Sequence, residues 1–587
     1  MVRYIEGKKI SSRYSIDMRI YREYIVELII TLVVLIGETL AIVLNIDRFK
    51  IASLYELASN PVKLVVYAAY VLSIVIVPIL VMLSFNAAKE LVEIYRRFSL
   101  KSLSNVNVNW IRRNIWLVPV LTVLSFTSIL FGIITNYRYI VLFSLMPLLP
   151  LTIVILKPII EVYNHRRSID IELKWFLIML SIVEGIGTNI GFLIEKLKRA
   201  PILKSIAKEM IVIDRDSKIY FLSHIDAMLY RARATPNEKL GRIFMGYASK
   251  VREGGNVSAW LKTRIDEEIL GSEFSMKLYV ERMAITISQI ALVIYVILPL
   301  IMVSTSMVLN IQFAIVIAVL ATPFLISITY SIRPKTLDVI PIKYIVQPVI
   351  VYIVLSIILY IIIPGYSLLL SWIVGLVVGY RTYRMVKDVE GLDRDSLEIL
   401  KNVIELRRSG YSIIKALEYI KQNNILDKAT LRNLEIVLNR VVQGNSLAEI
   451  GAKIQSPSFL FRYVIFILGV IHECGGGDDE VLRSLYESIY RIKIMENNVK
   501  KLSLFFEILS IVNVFIMVWI WRTVSPLVMA LNTYLLGDIG ASSIPILILI
   551  SLICFKFISS VIKRGLPIFE PRDCIAIAIG AIAVNLI

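Results

Sequence analysis

The feature that most constrains this chain is a series of long apolar windows that contain no charged residue. A helix needs about 20 mostly apolar residues to cross the hydrocarbon core of a bilayer. The uncharged windows of this order are Leu64–Ala88, Asn114–Tyr137, Tyr139–Leu156, Met283–Ile332 and Tyr344–Tyr380. With 57% hydrophobic residues over 587 positions, the chain is too apolar to keep its whole surface in water. The sequence therefore predicts a polytopic helical membrane protein.

The two longest windows are each predicted to cross the membrane twice. Met283–Ile332 has room for a turn near Asn310, and Pro364 followed by Gly365 breaks Tyr344–Tyr380. Further spans are predicted at Ile25–Asn45, Leu504–Leu531 and Ser543–Ile562. The last apolar run, Cys574–Ile587, is short for a crossing and is left open. The prediction is thus a chain with about ten transmembrane helices.

Lysine and arginine collect in alternate connections, and this asymmetry predicts the orientation of the chain. The basic segments are the N-terminal tail, Lys89–Arg113, Arg333–Lys343 and the residues around Arg381 and Lys563. The connections between them carry almost no positive charge, as at Tyr137, Asn310, Pro364 and Asn532. Counting from a cytoplasmic N-terminus places every basic segment on the cytoplasmic side of the cell membrane.

The same count places two polar stretches, Asn164–Glu281 and Val386–Lys501, in the cytoplasm. They contain 19 basic and 15 acidic residues, and 17 basic and 16 acidic residues, respectively. Most of the formal net charge of +18 therefore lies at the predicted membrane edges, where it suits anionic headgroups. This distribution argues against nucleic acid as a partner.

Both polar stretches have apolar residues at helical spacing and lack the alternation that is typical of strands, so an all-α fold is expected. The spacing of Leu397, Leu400 and Ile404 is one example. The predicted parts are a basic cytoplasmic tail (1–24), a four-helix membrane region (25–163), a first cytoplasmic helical module (164–281), a central membrane region of two hairpins (282–385), a second cytoplasmic helical module (386–502) and a C-terminal membrane region (503–587).

The two cytoplasmic modules share an order of helix, glycine turn and capped helix. In the second module Gly410 ends a helix and Ser412 is predicted to cap the next one. Gly185 and Thr188 are predicted to occupy these positions in the first module. The segment Ser446–Glu449, just after Gly444, has the Ser-x-x-Glu pattern of a capping box. A duplicated unit explains these similarities.

Each module then runs from a proline through an apolar helix into a second glycine turn. Glutamates follow Pro236 and Pro457 after 17 and 16 residues. The turn residues are Glu253, Gly254, Gly255 and Asn256 in the first module, and Glu473, Gly475, Gly476, Gly477 and Asp478 in the second. Glycine tolerates positive φ, and Asn and Asp cap helices, so a tight interhelical turn is one interpretation. The repetition before two apolar hairpins favours a second interpretation, a functional contact.

These residues resemble the module of the type II secretion system F family, the polytopic platform proteins of secretion systems, type IV pili and archaella. Gly185–Glu268 resembles one copy of that module and Leu397–Glu487 the other. The second copy matches through Gly410, Gly444-x-Ser446-Leu447-x-Glu449 and Glu473-x-Gly475-Gly476. The first copy lacks a clear Gly-x-Ser-Leu segment around 211–218, and Gly477 with Asp478 lengthens the second turn.

The resemblance implies a non-enzymatic role as the membrane platform of an archaeal type IV pilus-like or archaellum assembly machine. Such a platform contacts a hexameric secretion ATPase from the cytoplasm and passes pilin subunits from the lipid membrane into the filament. The resemblance also implies a homodimer. The two second glycine turns are the predicted ATPase-facing residues. Which filament the machine builds is left open.

The sequence lacks the motifs of a catalytic, cofactor or metal site. There is no G-x-x-x-x-G-K-[ST] phosphate loop, so ATP hydrolysis is assigned to the partner. The three histidines show no zinc-ligand spacing, and His472 with Cys474 has no further soft ligand nearby. No enzyme activity, cofactor or metal is predicted.

A charged residue inside the first predicted span keeps a different class of function open. Ionisable residues within a membrane are costly and often functional, and Glu38 stands almost alone in that span. Glu38 could face another helix or engage the positive N-terminus of a pilin. It also sustains the alternative of a transporter or permease-type subunit driven by a separate ATPase.

Overall fold

The computed structural model describes residues 149–282, 288–297, 311–333, 335–362, 367–423, 426–531 and 543–585. The basic tail, the first three predicted spans and Glu38 lie outside these ranges. The predicted turn near Asn310 and the predicted break at Pro364 also lie outside them.

All elements in the described ranges are helices, which confirms the all-α class for that part of the chain. In chain order they are α1 (Leu149–Gly185), α2 (Ile190–Arg199), α3 (Lys204–Ile219), α4 (His224–Ala232), α5 (Glu238–Arg252), α6 (Val257–Arg282), α7 (Ser288–Leu292, continued by the π-helical Val293–Ile297), α8 (Ile311–Ile332), α9 (Ile342–Ile362), α10 (Ser367–Arg408), α11 (Ile413–Gln422), α12 (Lys428–Val442), α13 (Leu447–Lys453), α14 (Phe459–Glu473), α15 (Asp479–Leu531), α16 (Ser543–Arg564) and α17 (Pro571–Asn585).

One helix among the described residues is long and apolar enough to cross a membrane. The window Ile342–Leu359 of α9 has a mean hydropathy of 2.2, and only 6% of it is buried. The shorter apolar stretches Ile317–Ile332 and Leu504–Ile516 lie in α8 and α15. The described residues thus supply one crossing helix by these criteria and do not support the predicted number of about ten.

The chain divides into two compact units. The first comprises Met1–Asp170 with Met228–Met245, and the second comprises Ile171–Ala227 with Gly246–Ile587. The predicted domain boundary at 385/386 falls inside α10, and the boundary at 502/503 falls inside α15. These two helices are continuous because no glycine turn or proline interrupts them at those points.

In the first unit, Asn237 fixes the start of α5. Its Oδ1 accepts a hydrogen bond from the Leu240 amide at 2.9 Å, which satisfies a free donor of the first turn. Its Nδ2 donates to Asp170 Oδ1 at 2.7 Å and to the Arg166 carbonyl at 3.1 Å. A single side chain therefore caps one helix and ties it to another.

The second unit contains the same arrangement in the second module. Ser458 Oγ accepts from the Phe461 amide at 3.1 Å, which caps α14, and donates to Asp393 Oδ1 at 2.6 Å. Asp170 and Asp393 are 223 residues apart in sequence. The two modules thus repeat both the cap and its aspartate partner.

Three more features repeat at this interval of 223 residues. Gly187 and Gly410 both have positive φ, 77° and 88°. Asn189 caps α2 and Ser412 caps α11, each through a side-chain oxygen. Ser412 was predicted, but Asn189 replaces the predicted Thr188, whose hydroxyl instead donates to the Val183 carbonyl. Gly187 likewise replaces Gly185, which is the last residue of α1.

The capping segment that the sequence did not reveal in the first module is also present. Residues 211–218 lie inside α3, and the turn follows at Phe221, whose φ is 53°. Ser223 Oγ accepts from the Asp226 amide at 3.1 Å, as Ser446 Oγ accepts from the Glu449 amide at 3.2 Å. Phe221 stands 223 residues before Gly444, and a phenylalanine in place of that glycine hid the similarity.

The core of the second module forms around α14. This helix is apolar on all sides, and Phe459–Ile471 is almost entirely buried because α10, α13 and neighbouring helices cover it. Gly451 and Gly469 allow α13 and α14 to approach closely. A Cβ added at Gly469 would lie 2.2 Å from the Ala448 amide nitrogen.

A second core lies in the bundle formed by α8, α9, α10, α15, α16 and α17. Helix α16 is its central element, and nearly all of its described side chains between Ile548 and Ile562 are buried. Tyr352, Trp372 and Phe569 pack as a cluster of tilted rings beside it. Large apolar residues on the outside of the bundle remain exposed, among them Leu320, Ile357, Val377 and Trp519.

Candidate functional site

The glycine turn of the first module lies fully on the surface. Glu253, Gly254, Gly255 and Asn256 are all exposed. Asn256 caps α6 as predicted, because its Oδ1 accepts from the Ala259 amide at 2.9 Å. Glu253 accepts hydrogen bonds from Lys250 and Ser249, and these bonds hold its pKa below the usual value. The turn therefore presents an open, acidic helix junction.

The glycine turn of the second module is held between neighbouring helices. Gly475, Gly476 and Gly477 all have positive φ, at 100°, 98° and 60°. Gly476 is buried, and the Arg407 guanidinium donates to the carbonyls of Gly476 and Gly477 at 3.2 Å each. Glu473 pairs with Lys196 of α2, whereas Asp478 is exposed.

The two turns are also aligned differently from the sequence prediction. Pro236 and Pro457 each stand 18 residues before the first glycine with positive φ, Gly254 and Gly475. Glu253 therefore corresponds to Cys474 and not to Glu473. Gly477 is the extra residue of the second turn, as predicted. Because only the first turn is fully exposed, the two turns are not equivalent as contact surfaces.

Within the second unit, the first glycine turn of module one packs against the second glycine turn of module two. Cys474 Sγ lies 3.9 Å from Thr188 Oγ1, and burial raises the pKa of this thiol. On the neighbouring helices, Tyr463 Oη donates to the Trp175 carbonyl at 2.8 Å. The modules thus meet through their repeated turns and through one buried aromatic contact.

The largest group of charged residues lies where the bundle meets the second module. A cavity of about 220 Å³ opens between the end of α8, the segment 335–341, α10, α15 and the end of α16. Its basic residues are Arg333, Lys335, Lys493, Lys500, Lys563 and Arg564. Its acidic residues are Asp338, Glu390, Asp393 and Glu496. We call this the junction cavity.

Two carboxylates of the junction cavity bind the start of α14. Asp338 Oδ1 accepts from the Phe459 amide at 3.0 Å, and Asp393 Oδ1 accepts from Ser458 Oγ. Burial and the nearby charge of Asp393 raise the pKa of Asp338 to about 6. Burial also raises the pKa of Asp393. The segment 335–341 is further tied to this helix because the Val339 amide donates to the Pro457 carbonyl at 3.1 Å.

Lys493 of α15 neutralises part of this acidic pair. Its Nζ lies 2.6 Å from Asp393 Oδ2 and 2.9 Å from Glu496 Oε2. Although burial opposes its charge, Glu496 and Asp393 raise the pKa of Lys493 above the usual value. Burial acts against the Glu496 charge too, but Lys493 outweighs it and lowers the pKa of Glu496. The three groups therefore stay ionised together and link α10 to α15.

The remaining cations stand at the end of the bundle. Arg564 lies 3.3 Å from Glu390 and 2.9 Å from Glu570, and Lys563 lies 3.7 Å from Glu507. The Arg333 guanidinium forms no direct hydrogen bond or ion pair with any described residue, and burial lowers its pKa. Arg333 is thus the one cation of the lining that is buried and lacks a direct counter-ion within the described part of the chain.

Sequence reasoning did not find the junction cavity. It treated Arg333–Lys343 only as a topology signal, and it did not single out Asp393, Lys493 or Glu496. Asp393 and Lys493 lie 100 residues apart and belong to no short motif. The one local signal was the pair Lys493 and Glu496 at helical spacing on a stretch that the apolar helix α15 extends.

A buried ion pair inside the bundle was also missed. Lys556 of α16 lies 3.3 Å from Asp573 of α17, and both side chains are almost fully buried. Among the residues described, no three His, Cys, Asp or Glu side chains are close enough together to hold a metal ion.

No protein-family model, curated protein or solved structure matches this chain. The arrangement of the chain's own helices is therefore the basis for the functional assignment.

Proposed function

We propose that this chain is the membrane platform of an archaeal type IV pilus-like or archaellum assembly machine. In this role it spans the cell membrane about ten times, with the N-terminus and both modules in the cytoplasm. It couples a cytoplasmic hexameric ATPase to the insertion of pilin subunits into the filament and performs no catalysis itself.

The observation that carries this proposal is the continuity of α15. The helix has 53 residues, from Asp479 to Leu531, and at 1.5 Å per residue it is about 80 Å long. Its first half packs in the second module, and its second half exposes large apolar residues such as Ile508, Phe515 and Trp519. A displacement of the module is therefore transmitted directly to the apolar bundle.

Helix α10 provides a second continuous connection. It has 42 residues, begins beside the ring cluster of the bundle at Trp372 and ends at Arg408 in the second module. The ion pair between Lys493 and Asp393 joins α10 to α15 near their middle. Two long helices joined in this way can move as one body, which a mechanical coupling requires.

The exposed apolar surface supports the membrane part of the proposal. Soluble monomers rarely expose large contiguous apolar patches. Helix α9 leaves Ile350, Ile353, Ile357 and Ile362 about half exposed or more, and the uncovered faces of α10 and α15 add further apolar side chains. A bilayer would cover these faces without any further protein.

The transporter alternative is favoured by the ion pair of Lys556 and Asp573 in the bundle core. Ionisable residues inside a membrane often mark a substrate or proton path. Here the two groups neutralise each other, and the junction cavity lies elsewhere, at the cytoplasmic end of the bundle in the proposed topology. The platform role therefore remains the proposal.

The proposal is tested by breaking α15 between module and bundle. Asn498 is exposed on this helix, and a proline inside a helix costs about 3 kcal/mol and kinks it. We expect Asn498→Pro, as the sole copy in cells, to abolish filament assembly while membrane insertion and co-purification of the ATPase are retained. Electron microscopy of filaments and affinity purification measure the two properties.

Asn498→Ala is the matched control, because alanine keeps the helix and removes the same exposed amide. Filaments at the wild-type level are expected for this variant. Normal filaments in the Asn498→Pro strain, or no association with any hexameric ATPase, would contradict the proposed role.

A further inference from the structure

The junction cavity contains more basic than acidic charge, and its acidic groups are already engaged. Asp338 accepts from the Phe459 amide, and Asp393 and Glu496 are bound to Lys493. Glu390 is paired with Arg564 at 3.3 Å. The carboxylates are therefore poor counter-ions for any further cation in the lining.

Two lining cations have no direct partner in the described part of the chain. Lys335 is exposed at the mouth of the cavity, and Arg333 lies deeper. Both lie at the start of the segment that enters the cavity from α8. Their charge is therefore available to a ligand that occupies the cavity.

The backbone of Gly565 fixes the position of Arg333. A Cβ added at Gly565 would lie 1.5 Å from Arg333 Nη1, so the guanidinium rests directly on this glycine. Gly565 has a φ of 84° and ends α16 immediately after Arg564. The contact brings the cations of the α8 end and the α16 end to one side of the cavity.

The space is sufficient for a small hydrated anion. A water molecule takes up about 30 Å³ in the liquid, so a cavity of about 220 Å³ holds several waters or a phosphoryl group with some of them. A guanidinium offers donors in a planar fork that matches two phosphate oxygens, whereas a lysine acts as a point charge. Arg333 flanked by Lys335 and Lys563 is such a donor set.

We propose that the junction cavity binds a phosphoryl group, with Arg333 as the main ligand and Lys335 and Lys563 as flanking charges. An anionic phospholipid headgroup and a soluble phosphate share this chemistry. The lipid source rests on the proposed membrane insertion, because only then does the cavity lie at the level of the headgroups. The phosphate site itself does not depend on the platform role.

The test uses the purified full chain in two arms. In detergent, inorganic phosphate is titrated by isothermal calorimetry and the thermal midpoint is measured with and without phosphate, because a ligand of the folded state raises that midpoint. In nanodiscs, vesicle lipid of neutral phosphatidylcholine is compared with the same lipid containing one fifth phosphatidylglycerol, on the order of the anionic content that basic juxtamembrane segments recognise. Native mass spectrometry then counts retained phosphatidylglycerol.

We expect Arg333→Gln to weaken binding about tenfold or more, since hydrogen bonds between charged groups are the strong ones. Lys335→Gln, at an exposed position that does not affect folding, is expected to weaken it by a smaller factor. Arg432→Gln is the matched control, because Arg432 is an exposed arginine of α12 outside the cavity.

Retention of phosphatidylglycerol without binding of free phosphate supports the lipid source, and the reverse supports a soluble phosphate. Binding in both arms supports a site for the phosphoryl group of either. Equal binding by wild type, Arg333→Gln and Lys335→Gln, or no binding by the wild type in either arm, overturns the proposal. Filament assembly is not a readout here, so failure of the platform role does not affect this result.

Discussion

Asp338 and Asp393 bring two carboxylates to the start of one helix, beside Lys493. At this site burial opposes the ionisation of both acids, while the α14 amide and Lys493 favour it. The pKa of Asp338 is raised to about 6, so the folded state holds this proton more tightly than the unfolded chain does. Stability therefore falls as pH rises from about 4 through about 6, and the cost is fully present above that range.

Asp338→Asn removes this cost and keeps an oxygen that can accept from the Phe459 amide. We expect the variant to be more stable than the wild type at pH 8, by about 1 kcal/mol, and equal to it near pH 4. Thermal unfolding of the purified protein in detergent at both pH values measures the difference. A loss of stability at pH 8 would show that Asp338 is needed in its charged form.

Phe221 shows at the residue scale why one repeat was harder to find. Its φ of 53° lies in the left-handed region that a non-glycine residue adopts at a cost of about 1–2 kcal/mol, and its side chain is 95% exposed. The glycine signal on which the sequence analysis relied is absent at this turn. The capping pair that remains, Ser223 and Asp226, could have been found by its spacing from Ser446.

At the scale of elements, the close approach of α13 and α14 depends on two glycines. Cβ atoms added at Gly451 and Gly469 would lie 2.4 Å and 2.2 Å from backbone nitrogens, which cannot move independently of their helices. We expect Gly469→Ala to destabilise the protein by about 2–3 kcal/mol, since overpacking of this kind forces backbone shifts. Chemical denaturation in detergent measures the effect.

Gly271 provides the control for that substitution. It lies on α6, exposed, and a Cβ added there would meet no atom within 4 Å. Gly271→Ala should therefore raise stability by up to about 1 kcal/mol through helix propensity alone. If both substitutions have the same small effect, the α13 and α14 interface is looser than its geometry indicates.

The helical elements and several caps could be predicted because they depend on neighbouring residues. Gly410, Ser412, Ser446 and Asn256 each act within one or two turns of their own position. The junction cavity could not be predicted, because it gathers residues from α8, α10, α15 and α16 that share no local pattern. The exposure of one glycine turn and the burial of the other also depend on distant partners such as Arg407.

At the scale of the whole molecule, the duplicated modules differ in how their turns are used. The turn at Gly254 is exposed, whereas the turn at Gly475 is engaged by Arg407 and, through Glu473, by Lys196. If the ATPase contacts the platform through a glycine turn, the first is the accessible one. The prediction that both turns face the ATPase stays a prediction for Asp478 and the first turn, and burial argues against Gly476.

The ion pair of Lys196 and Glu473 joins the two modules within the second unit. Both side chains are about four-fifths buried, so we expect Lys196→Glu and Glu473→Lys each to lower stability and the double exchange to restore most of it. A coupling energy of about 0.5–1 kcal/mol is expected from a double-mutant cycle. The same exchange at Arg264 and Glu267, an exposed pair within one helix, should show less coupling.

The length of α15 has a simple mechanical consequence. Because the helix extends for about 80 Å, a tilt of only about five degrees at its cytoplasmic end would carry the opposite end sideways by about 7 Å, more than one helical pitch. A small swing driven by nucleotide turnover in an attached motor would thus suffice to open or close a gap the width of a helix radius between neighbouring subunits in the bilayer.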